Sequence, residues 1–100
     1  MHGQIITKSV KNGEVVFCKT KTAEYWLLFM GEAVANVYRR GEGKEFCLFL
    51  GKRRVDTVIE EGKGLMMFDG DGEQITAIVP IEISKVSLDS IPQQERREVV

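Results

Sequence analysis

The sequence predicts an α+β domain: an antiparallel sheet of five to six strands, one principal amphipathic helix over about residues 22–40, and a short helix or flexible tail at the C-terminus. Two observations carry this expectation. Residues 22–40 bring apolar side chains together at helical spacing, and from residue 41 short apolar runs alternate with glycine-containing connections too brief for anything but antiparallel neighbours. One hundred residues, 43% hydrophobic and 29% charged, are enough for one self-supporting core.

The chain opens with Gln4 to Val10, a short β-like run. Lys11-Asn12-Gly13 follows, and Asn-Gly tolerates the positive φ of a tight hairpin, so Glu14 to Thr20 reads as the returning strand. Projected at 100° per residue, Ala23, Trp26, Leu27, Met30, Ala33, Val34, Val37 and Tyr38 share one face of a helix. Thr22 suits its N-cap, Glu24 its first turn, Arg39 and Arg40 its last, and Gly41 the residue beyond. The alternative for this segment is two strands turning at Gly31, which would make the whole chain an all-β meander barrel.

Beyond Gly41, the strand-like segments are Lys44 to Leu50, Arg53 to Glu60, Gly64 to Asp69 and Gln74 to Ile83. Gly51-Lys52, Glu61-Gly62-Lys63 and Asp69-Gly70-Asp71-Gly72-Glu73 read as the turns between them. Ile75, Ala77 and Val79 oppose Thr76 and Ile78, which predicts a central strand buried on both sides until Pro80 interrupts it. Ser90-Ile91-Pro92-Gln93 resembles a helix start with proline in the first turn. Residues 1–88 are therefore expected to form one compact domain, and 89–100 a short helix or a flexible tail.

Chemical motifs are few. The acidic stretch Asp69 to Glu73 supplies carboxylates at alternate positions, but a calcium loop needs a closing glutamate and here a strand follows at once, so a hairpin turn is the expected role. Arg39-Arg40-Gly41-Glu42-Gly43-Lys44 has the glycines and lysine of a phosphate loop, yet Glu45 stands where the hydroxyl residue belongs. His2 is the one histidine, which leaves no Cys-His or Ser-His-Asp arrangement. Cys18 and Cys47 each sit in an apolar run and read as buried, reduced thiols. No catalytic residue, cofactor or metal site is expected, and a soluble cytoplasmic protein without a membrane partner is.

The words "NGEVVF", "AEYWLLFMGEAVANVYRRG" and "RRVDTVIEEGKGLMMFDGDGEQITAIVP" follow an order of hairpin, central helix and three strands joined by glycine turns. In that order, over residues 3–80, the chain resembles the Roadblock family and its profilin-like fold. The resemblance implies a non-enzymatic homodimeric scaffold or regulator for a small GTPase or a larger complex. Its dimer face would lie on the central helix and an edge strand, through Trp26, Met30, Val34, Val37, Val55 and Thr57. Large apolar residues such as Tyr25, Trp26, Phe29, Phe46, Phe49 and Met66 also invite association, since aromatic and methionine side chains are enriched in interface cores.

Two other functions stay open. Arg39, Arg40, Lys44, Lys52, Arg53 and Arg54 make a local basic surplus that would suit nucleic acid, although the net charge of −1 lacks the basic excess of most duplex binders. A small-ligand pocket beneath the helix is the other. The partners expected are a second copy and another protein, with nucleic acid as the alternative.

Overall fold

The computed structural model describes residues 3–94, and these form nine strands with two short 3-10 turns. The predicted α+β class is overturned: the fold is mostly β, and the described residues contain no principal helix. The strands are β1 (Gln4–Ile6), β2 (Val15–Lys19), β3 (Ala23–Gly31), β4 (Val34–Gly41), β5 (Leu48–Val55), β6 (Val58–Glu60), β7 (Leu65–Phe68), β8 (Gln74–Ile78) and β9 (Glu82–Val86).

The segment expected to be a helix, 22–40, is the β3–β4 hairpin, in the pairing Leu27↔Val37 and Trp26↔Tyr38. Its helical spacing is incidental, and the reason lies in burial. Ala23, Tyr25, Leu27 and Phe29 enter the main core while Trp26, on the opposite face, is only 4% exposed. A strand covered on both faces shows no alternation, so its pattern does not distinguish it from a buried helix. The turn was equally concealed. Glu32 and Ala33 make it, and Ala33 adopts φ 56°, a left-handed conformation normally given to glycine or asparagine. The word AEYWLLFMGEAVANVYRRG thus forms a β-hairpin where the Roadblock resemblance implies a helical dimer face.

Other expectations are corrected by pairing. β1 does not return onto β2; Ile5 faces Ile59 of β6 in a separate two-stranded ribbon, and a 3-10 turn, Thr7–Ser9, follows β1. Gly51 is no turn but lies within β5, at φ 101°, where the β4–β5 register shifts between Val37 and Tyr38. At the C-terminus, the described residues hold a 3-10 turn at Leu88–Ser90 rather than a helix beginning near Ile91; the remainder of that expected helix falls outside the described residues.

The main sheet runs β8-β7-β5-β4-β3-β2-β9. Residues 79–81 alone connect its two end strands, and so short a link reaches only about 14 Å. The sheet must therefore roll until its ends approach, with Ile81 N–H donating to the Lys19 carbonyl at 2.7 Å and Gly62 N–H to that of Pro80 at 2.7 Å. Inside lie Val16, Leu27, Phe29, Val37, Ile59, Leu65, Met67 and Ile78.

On the outer face, Val15 is fully buried and Trp26 nearly so, though neither belongs to that inner cluster. The chain leaves β9 at Val86, paired with Val15, and arrives at Cys47, whose N–H donates to the Gln93 carbonyl at 3.0 Å and whose thiol donates to that of Pro92 at 3.1 Å. The return segment 87–94 is thereby tied to the residue just before β5.

Candidate functional site

β8 is an end strand, so one row of its backbone N–H and C=O groups has no ladder partner. The sequence reading made it central and doubly buried; the structure covers only one side. Ile78 is 7% exposed and Pro80 is buried, whereas Ile75 is 43%, Val79 51% and Ile81 47% exposed, with Ala77 exposed between them. The apolar residues at alternate positions 75, 77, 79 and 81 therefore form a stripe on the open side. Met66 of β7, paired with Ala77 and 43% exposed, widens it.

From Gln74 to Ile81 there is no charged residue, in a chain of which 29% is charged. Exposed edges ordinarily carry lysine, inward charges or bulges that discourage pairing. Beside the edge opens a cleft of about 410 Å³ between Ala77–Ile81 on one wall and Thr20, Lys21, Thr22 and Tyr25 on the other. Tyr25 is held at its floor by Arg39, whose Nε donates to the phenol oxygen at 3.2 Å. Thr20 is occupied locally, since its hydroxyl donates to the Ala23 carbonyl and accepts the Ala23 N–H, each at 3.1 Å.

The residues singled out for a dimer face are scattered. Trp26 is covered, 5.3 Å from the Phe17 ring. Val37 and Val55 are 0% and 2% exposed in the core, where no partner reaches them. Met30, 48% exposed, Val34 and Thr57 reach the surface on three different segments.

The basic residues also divide. Arg39, Arg40 and Lys44 stand at the β4–β5 connection, with Arg40 paired to Glu24 at 2.7 Å, whereas Lys52, Arg53 and Arg54 lie at the far end of β5. The β8 stripe was missed because an uncharged apolar run looks the same whether the fold covers it or leaves it open.

The acidic stretch is the β7–β8 connection. Asp69 Oδ1 accepts the N–H groups of Asp71 and Glu73, both at 2.9 Å, and so serves the turn. Among the described residues no three His, Cys, Asp or Glu side chains gather to hold a metal. Cys18 lies in the core, where burial pushes its thiol up to about 12. Burial raises the Cys47 thiol as well, with its own backbone N–H and Arg40 acting in the opposite direction. Neither thiol is poised as a nucleophile. Among the described residues no helix is long and apolar enough to cross a membrane. No family model, curated protein or solved structure matches the chain.

Proposed function

We propose that the chain is an interaction module that works by association rather than by chemistry, and that its first partner is a second copy docked along β8. The observation that carries this reading is the uncharged run 74–81, exposed at alternate residues on an edge strand. Antiparallel pairing of β8 with its twofold mate sets the same short segment against itself. A charged strand would meet like charge there, and this one does not. The free backbone groups supply the hydrogen bonds, and Ile75, Ala77 and Met66 supply apolar area.

Light scattering over a hundredfold range of concentration tests it. A dimer is expected, converted to a folded monomer by Ile75→Lys and unaffected by Met30→Lys, which places the same charge on another exposed apolar site. A monomer at every concentration, or a dimer indifferent to Ile75→Lys, would overturn the proposal.

The cleft favours a second reading, a small apolar ligand, because about 410 Å³ lies within the range of small-molecule sites. A rise in melting temperature with such a compound, abolished by Val79→Lys at an exposed lining position but not by Ile75→Lys, would identify that use.

A further inference from the structure

The cleft beside β8 has two unlike walls. Ile78, Val79 and Ile81 make one of them apolar, with Val79 51% and Ile81 47% exposed, whereas Lys21, Thr22 and Tyr25 stand on the other. None of the described residues that line it is an acid, in a chain whose 15 acids outnumber its 14 lysines and arginines. Both walls are fixed by hydrogen bonds to the backbone. The Thr20 hydroxyl accepts the N–H groups of Thr22 and Ala23, which sets the turn between β2 and β3. The Ile81 N–H then joins the apolar wall to the Lys19 carbonyl at 2.7 Å. A cleft formed in advance spends little on ordering itself around a guest.

The polar wall holds donors without acceptors. Lys21 belongs to no salt bridge among the described residues, and neither does Arg39, the partner of Tyr25. The Tyr25 phenol oxygen accepts the Arg39 Nε–H, and the guanidinium carbon lies 5.9 Å from the ring centroid. The phenol's own proton has no acceptor among the described residues. Tyr25 is only 7% exposed, and a buried hydroxyl ordinarily finds a partner. A cation donating to its oxygen also makes that proton a stronger donor.

We infer that the cleft holds a small amphipathic carboxylate, its alkyl or aryl body along Ile78, Val79 and Ile81 and its charge shared by the Lys21 ammonium and the Tyr25 O–H. A neutral hydrocarbon leaves these donors idle and a cation meets like charge, whereas a carboxylate accepts from both. A volume of about 410 Å³ admits such a molecule. The carboxylate head rests on the reading of the cleft as a ligand site and adds a charge to it.

NMR titration of the Ile78 and Val79 methyl resonances tests it, with sodium octanoate and 1-octanol as probes at equal ionic strength. Octanol is the less strongly hydrated of the two, so apolar burial alone favours it. A saturable shift is expected with octanoate, which should bind about tenfold more tightly than octanol. Lys21→Ala, at an exposed position whose loss leaves the fold intact, should narrow that ratio to about threefold. Tyr25→Phe keeps the ring and should weaken octanoate alone. Octanol binding as tightly as octanoate, or a ratio indifferent to both substitutions, would overturn the carboxylate and leave the ligand reading standing. No shift of these methyls with either probe would sink both.

Discussion

Arg40 lies over the Trp26 ring, its guanidinium carbon 5.2 Å from the centroid, and the same side chain holds Glu24 through Nη2 at 2.7 Å and Nε at 3.1 Å. Three outer-face residues of β3 and β4 are thereby joined across two strands. The pair is about a third exposed, which screens its charges, so most of the benefit comes from cover over the indole. Arg40→Met should lower stability by about 1 kcal/mol and shift Trp26 emission, with Arg40→Lys intermediate. Denaturant unfolding followed by the single tryptophan measures both.

Ala33 sits at φ 56° in the β3–β4 turn, where an L side chain is strained and glycine is not. Ala33→Gly should therefore stabilise the protein, by about 0.5–1 kcal/mol, despite the greater freedom glycine gives the unfolded chain. A higher denaturation midpoint with an unchanged slope is the expected result. A lower one would mean that this turn is not strained.

Asp69 organises the β7–β8 connection through two backbone N–H groups. Replacing it with alanine removes both acceptors from an exposed turn, at a cost of about 1 kcal/mol. The equivalent asparagine, which keeps one side-chain oxygen, should recover most of it. If the stretch held calcium instead, millimolar calcium would raise the melting temperature of the native protein by several degrees. No such rise is expected.

Alkaline pH should weaken the fold through Cys18. In the unfolded chain this thiol ionises near 9, whereas in the core it stays protonated to about 12. Between those values the unfolded state binds fewer protons, so stability falls as pH rises, by about 1 kcal/mol per unit. Cys18→Ala should flatten the profile over pH 9–12. Glu14 acts at the other end: the Lys11 N–H and, secondarily, Lys85 hold its carboxyl below 4.5, so its small contribution is present above that value and lost as pH falls through the lower folded value.

Local chemistry was legible where a residue's own backbone or neighbours decided the outcome. Gly13, Gly62 and Gly72 take positive φ in turns where the sequence placed turns, and the acidic stretch is a connection between strands. Cys18 is buried as its apolar run suggested. The β3–β4 hairpin was legible only as the alternative of two strands turning at Gly31: the turn falls at Glu32 and Ala33, Ala33 occupies a glycine-type conformation, and burial of Trp26 removes the alternation that marks a strand. The candidate sites were only half visible. Lys52-Arg53-Arg54 stands out in any reading, but that β7 leaves the edge of β5 just past Arg54 depends on pairing between segments distant in the chain.

By itself, then, the sequence determined a single apolar core, the places where glycine lets the chain turn, and its longest uncharged run, from 74 to 81. These are properties of composition and of φ at individual residues, and they survive without knowledge of the fold. Tertiary structure alone decided which faces are dry. Trp26 is covered, by Phe17 and Arg40 among others, and nothing described covers Ile75, although both sit in equally apolar words. Burial is a relation between segments distant in sequence, set by how far the sheet rolls and where its ends stop. No local pattern contains that information.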